Sequence, residues 1–122
     1  MPTSTETRDV VLAYFTAWTT HNTDAAFALL APDLEFSGPG ATFKSAEAFR
    51  PGLNGFAAMT SGVRVVELIT EGDKAALLYD CDLPAPVGTL RISSFFRVAN
   101  GKIRTYDTRF DATELGKLLG RR

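Results

Sequence analysis

The sequence predicts an α+β domain in which helices pack on one face of a strongly curved antiparallel sheet. Three observations carry that expectation. Apolar residues before position 60 recur at three- and four-residue spacing, the period of a helix with one buried face. From position 63 the chain turns β-branched and partly alternating, broken at intervals by Gly, Pro, Asn and Asp. The short gaps between those late strands call for antiparallel neighbours.

The elements follow in order. From Glu6 to about Thr20, the residues Val10, Val11, Tyr14, Phe15 and Trp18 share one helical face, and Thr3, Ser4 or Thr5 can cap its start. The polar stretch Thr19–Thr23 ends it. A second helix is expected over Asp24–Leu30, capped by Asn22, Thr23 or Asp24, with Pro32 just past its end. Leu34–Ser37 alternates and reads as a short strand closed by Gly38-Pro39-Gly40. Ser45 opens a third helix with Phe49, Leu53, Phe56 and Met59 at helical spacing; Pro51 followed by Gly52 should kink it or end its first turns. Strands are expected at Val63–Thr70, Lys74–Leu83, Thr89–Val98 and Lys102–Phe110. Glu71-Gly72-Asp73 turns the first pair, Pro84–Gly88 breaks the second, and Asn100-Gly101 marks a tight hairpin in the third. Asp111–Glu114 can cap a last short helix holding Leu115, Leu118 and Leu119.

The 122 residues fit one domain, 1–122, and 45% apolar with 22% charged residues is the balance of a folded globular chain. Thirteen basic against fourteen acidic side chains leave a formal charge of −1, without the basic excess that nucleic acid demands. Cys81 is the one cysteine, so no internal disulfide forms. A single His beside it leaves no zinc site of His and Cys ligands, and no metal or other cofactor is expected. The polar start lacks a signal-peptide layout, and no apolar run nears the roughly 20 residues of a membrane helix. A cytoplasmic protein without membrane partners is expected.

The segments Val10–Tyr14, Asn22–Phe36, Phe95–Ile103 and Phe110–Gly120 together resemble the nuclear transport factor 2-like superfamily, most of all its bacterial SnoaL-like and ketosteroid-isomerase-like branch. The resemblance spans nearly the whole chain and rests on marks of the fold rather than of catalysis. It implies a cone-shaped, cystatin-like α+β barrel with three N-terminal helices on the concave face of the sheet and a short C-terminal helix. It further implies a homodimer through the outer sheet face and a small apolar, oxygenated ligand such as a polyketide, terpenoid or steroid-like compound. That ligand would be isomerised, cyclised or hydrolysed without a cofactor, or only bound. By position, the isomerase's oxygen-binding tyrosine falls on Tyr14, its carboxylate base on Gly38 and its second acid near Ser94. Glycine cannot take a proton. Similarity to limonene epoxide hydrolases points instead to Asp80, Asp82 and Asp107 with Arg91, Arg104 and Arg109, although Asp80-Cys81-Asp82 replaces that family's Arg-x-Asp spacing.

Strand parity sorts these residues by face. With Phe96 and Phe110 inward, Tyr79, Cys81, Leu83, Ile92, Ser94, Tyr106 and Thr108 face the hollow. Asp80, Asp82, Arg91, Arg97, Asp107 and Arg109 then lie on the outer face. The candidate catalytic residues are Tyr14 and Asp107. The candidate pocket is Trp18, Phe36, Phe56, Tyr79, Cys81, Ser94, Phe96, Tyr106, Thr108 and Phe110. Tyr14 reads equally as a pocket donor and as a core tyrosine. An inward Asp107 bonded to Tyr14 or Arg104 would mark an enzyme, whereas acids all facing outward would mark a binding or structural role. His21 sits at a helix end in a loop, and Cys81 has no basic partner to generate a thiolate.

Overall fold

The computed structural model describes residues 2–113. Helix α1 (Ser4–Thr19) starts two residues before the expected Glu6, because Thr3 and Glu6 form a capping box. The Thr3 hydroxyl accepts from the Glu6 N–H at 3.1 Å, and the Glu6 carboxylate accepts from the Thr3 N–H at 2.8 Å. Asn22 caps α2 (Thr23–Ala28) by accepting from the Ala25 N–H. Arg50 ties α2 to the third helix, pairing with Asp24 at 2.6 Å and lying over the Phe27 ring.

Strand β1 spans Leu30–Gly38, longer than its alternation suggests, and Pro32 lies inside it instead of beyond a helix. The cause is the late strand beside it: Leu30 already registers with Ile103, and the Ile103 N–H donates to the Leu29 carbonyl. A register shift between Leu30 and Glu35 accommodates the proline's missing donor. A short strand β2 (Ala41–Phe43), not expected from the sequence, folds back on β1 with Phe36 opposite Phe43. Helix α3 (Ala46–Met59) is capped by Ser45 and runs through Pro51 and Gly52 without ending. Four buried residues on its inner side, Ala46, Phe49, Leu53 and Ala57, hold it against the sheet, and this packing outweighs the one backbone bond that a proline removes.

The sheet is completed by β3 (Gly62–Glu71), β4 (Lys74–Leu83), β5 (Gly88–Ala99) and β6 (Lys102–Arg109), giving the order β2-β1-β6-β5-β4-β3. The expectation of a wholly antiparallel sheet is corrected at one place, since β1 pairs with β6 in parallel. The long connection through β2, α3, β3, β4 and β5 permits this. Asn100 and Gly101 both adopt positive φ, the requirement of the two-residue hairpin that joins β5 to β6. Register shifts at Val65/Glu67 and Arg97/Val98 bend the sheet. It curves without closing: β2 and β3 remain edges, so the barrel is partial. The expected C-terminal helix over Leu115–Leu119 lies outside the described residues.

Burial alternates strictly along β4 and β5, which fixes the concave face as Ala75, Leu77, Tyr79, Cys81 and Leu83 beside Leu90, Ile92, Ser94, Phe96 and Val98. Helix α1 packs across β3 to β6, and α3 covers β1 and β2. The N-terminus of α1 is clasped to the β3–β4 turn: the Thr7 hydroxyl donates to the Gly72 carbonyl at 2.5 Å, and the Gly72 N–H donates to the Ser4 hydroxyl at 2.8 Å. Among the described residues no helix is long and apolar enough to cross a membrane.

Candidate functional site

The concave face is not filled completely. A cavity of about 400 Å³ lies between α3, the β1–β2 hairpin and the inner wall of the sheet. Its walls are aromatic. Trp18 comes from α1, Phe36 from β1, Phe43 from β2, and Phe49, Leu53, Phe56 and Met59 from α3. Tyr79, Ile92, Tyr106 and Thr108 form the sheet side, and Phe110 closes one end. Phe36 stacks on Phe49 with ring centroids 4.3 Å apart, and Tyr106 meets both edge-on. Gly38, Pro39, Ala41, Gly52 and Gly55 add backbone and small side chains. Gly52 and Gly55 border solvent as well as the cavity, which sets them at its rim. Among the described lining residues there is no Asp, Glu, His, Lys or Arg.

The polar groups of the cavity are hydroxyls on the sheet side. Thr108 and Ser94 share a hydrogen bond at 2.5 Å across the β5–β6 pair. Ser94 and Thr108 also act on the Tyr79 phenol through hydrogen bonding. Tyr14 stands behind Tyr106, wholly buried, edge-on to it and to Phe96. Its hydroxyl interacts with that of Tyr106 but no group meets it in regular hydrogen-bond geometry. Burial is the leading cause that pushes the phenols of Tyr14, Tyr79 and Tyr106 above the ordinary tyrosine value, so all three stay protonated at neutral pH.

A family model for the SnoaL-like domain matches residues 11–106. The chain belongs to the SnoaL-like family. This SnoaL-like chain is similar to a crystal structure from Kribbella flavida, with 27% identity, 92% of each chain covered and a TM-score of 0.86. It is also similar to an NTF2-like protein of unknown function from Cytophaga hutchinsonii, at 25% identity over 87% of this chain and 90% of that one, with a TM-score of 0.73. An LEH-like epoxide hydrolase from M. tuberculosis shares the fold at 19% identity, covering 93% of this chain and 89% of that one, with a TM-score of 0.75. No curated protein matches the sequence.

The SnoaL-like cavity gathers Trp18, Phe36, Phe56, Tyr79, Tyr106, Thr108 and Phe110 of the residues expected from sequence. Four others form a layer behind the wall. Tyr14, Cys81, Ser94 and Phe96 are buried but do not line it. Cys81 packs against the Thr60 hydroxyl at 3.6 Å, and burial raises its thiol pKa. Asp107 is on the convex face, 2.9 Å from the Arg109 guanidinium, and does not reach Tyr14. Asp80 and Asp82 are there too, each held by two hydrogen bonds, from Arg91 and Arg64 respectively. Arg104 pairs with Asp33 at 3.3 Å, and His21 is exposed at the α1–α2 junction. The lining residues missing from the sequence expectation are mainly on α3 and the β1–β2 turn. Phe49, Leu53 and Met59 are legible as one helical face, but periodicity cannot tell a wall around space from a filled core.

Gly38 stands where the isomerase base falls by position. A Cβ there would lie 2.9 Å from the Phe36 ring and 3.2 Å from the Thr108 methyl group. The glycine therefore lets the Phe36 ring occupy the space that an acidic side chain would need.

Proposed function

We propose that this SnoaL-like chain binds an apolar, oxygen-bearing small molecule in its cavity and does not abstract a proton from it. One observation supports the reading above others: the cavity combines aromatic walls with hydroxyl donors and, among the described residues, no ionisable acid or base other than tyrosine. Apolar walls with a few convergent polar groups are the usual make-up of a small-molecule site. Isomerisation or aldol-type cyclisation needs a base within hydrogen-bond reach of the substrate, and a phenol kept protonated cannot serve. Orientation of a carbonyl, ester or ether oxygen is what such donors do well.

The ligand would be held within a cytoplasmic homodimer formed through the convex face. Ile69, Ala76 and Phe95 are neighbours in one row there, and Ile69 and Phe95 are 61% and 54% exposed. Ion pairs flank them along the strands, Arg97–Asp73 on one side and Arg109–Asp107 on the other. A second copy offers the same apolar strip with matching charges of both signs, the self-complementarity that a two-fold interface requires.

Trp18 is the single tryptophan and lines the cavity, so its fluorescence reads occupancy directly. Titration with a panel of neutral steroids, terpenoids and flavonoids should quench it saturably. Silence across the panel would remove the binding reading.

A further inference from the structure

We propose that the segment 114–122 seats its leucines on an apolar stripe of α3 and so covers the open side of the cavity. The seating stands on the fold alone; the role as a cover rests on the binding reading. Helix α3 has two apolar sides. Ala46, Phe49, Leu53 and Ala57 are buried against the sheet. On an adjoining side, Gly52, Gly55, Phe56 and Met59 follow at three- and four-residue spacing, the glycines exposed and the two larger residues half-buried. All four also line the cavity, so a segment laid along this stripe lies over the opening. The space above Gly52 and Gly55 is free, with nothing within 4 Å of where a Cβ would stand.

The chain itself supplies an occupant. Strand β6 ends at Arg109, and Phe110 lines the cavity with its ring 6.3 Å from that of Phe56. The strand therefore delivers the residues that follow to the Phe56 end of the stripe. Asp111 accepts from the Thr113 N–H at 3.0 Å, the bond by which an aspartate caps a helical turn. Beyond it, Leu115, Leu118 and Leu119 recur at the spacing of one helical face. Leu119 lies four residues past Leu115, about one turn, and Gly52 lies the same step before Phe56. With Leu115 over Phe56 and the two runs antiparallel, Leu119 would come to Gly52, where no side chain stands in its way.

A cross-link in the full chain tests the seating. Gly52→Cys with Leu119→Cys should close a disulfide within one chain on mild oxidation, located by peptide mass. Asn54→Cys with Leu119→Cys should not, because Asn54 is exposed on a different side of α3. Native Cys81 is buried and takes no part. Bonds formed equally in both pairs, or in neither, would overturn the seating. A disulfide between two chains would give the stripe to a second copy and overturn it as well. The cover is read from stopped-flow Trp18 quenching by 2-acetylnaphthalene, a small neutral aromatic ketone. The oxidised Gly52→Cys/Leu119→Cys protein should take it up about tenfold more slowly than the same protein reduced, and Leu115→Asp about tenfold faster than the wild type. Rates unchanged in both comparisons would overturn the cover. If no probe reaches Trp18 in any form, the binding reading and the cover fall together, while the cross-link still decides the seating.

Discussion

The ring of Tyr14 stands edge-on to that of Tyr106, with centroids 5.5 Å apart and planes at 88°. This contact keeps the Tyr14 ring useful to the fold whatever happens to its hydroxyl, which is buried without a well-formed hydrogen bond. A buried, unsatisfied hydroxyl is a cost of about 1–3 kcal/mol to the folded state. Tyr14→Phe should therefore leave the melting temperature unchanged or raise it. A drop of several degrees in a thermal melt would show that the hydroxyl has a partner after all.

Gly38→Asp would place a carboxylate where the isomerase base falls. The Cβ collision with the Phe36 ring, itself stacked on Phe49, should destabilise the chain by about 1–3 kcal/mol, the usual cost of overpacking. Adding Phe36→Leu should recover part of that loss. Chemical denaturation of the two single variants and the double variant gives the coupling; strict additivity would mean that the ring is not what excludes an acid.

Gly55 is a helix-interior glycine with open space where a methyl group would sit, nothing lying within 4 Å of that point. Gly55→Ala should stabilise α3 by about 0.5–1 kcal/mol. At the cavity rim the same methyl group should slow uptake of 2-acetylnaphthalene, measured by stopped-flow Trp18 quenching. Unchanged association would place the way in elsewhere.

Phe95→Asp puts a charge in the middle of the exposed convex row and next to Asp107, its register partner. The wild-type chain should sediment as a dimer and this variant as a monomer, with Trp18 probe binding retained. A monomeric wild type at high concentration would end the interface proposal.

The pH dependence of stability has two arms. Phenols raised above their ordinary value of 10.0 stay protonated in the folded chain while an unfolded chain begins to ionise. Their contribution is complete below pH 10 and is lost as pH rises beyond it. At the acid end, Arg64 and Thr89 hold the Asp82 carboxyl down to about 2 from 3.8. Its contribution is present above pH 3.8 and disappears as pH falls toward 2. Urea midpoints across both windows should fall at each end; a flat alkaline arm would mean that the tyrosines are hydrated.

Much of the fold is legible in the sequence because its signals are local. The helix faces, the Asn100-Gly101 hairpin and the two-residue alternation from Lys74 to Thr108 each follow from side-chain period and turn chemistry. The same parity is enough to set Asp107 on the face opposite to Tyr106. Long-range pairing is not legible: β1 is long and parallel because β6 lies beside it, and nothing in Leu30–Asp33 announces that neighbour. Pro51 misleads in the other direction, since burial of Phe49 and Leu53 overrides the local break. The site is half legible for a related reason. Sequence pattern distinguishes inward from outward, but not the first inward layer from the second, and Tyr14, Ser94 and Phe96 belong to the second.

The clasp of Ser4 and Thr7 on Gly72 bears on how anything gets in or out. It pins the leading end of α1 to the turn between β3 and β4, so that helix cannot swing away as a door without breaking two backbone-linked bonds. The other flank of the cavity is bordered by the exposed Gly52 and Gly55 of α3, with Gly38, Pro39 and Ala41 of the β1–β2 turn also on its wall. A ligand that enters past those glycines leaves the pinned end of α1 where it is.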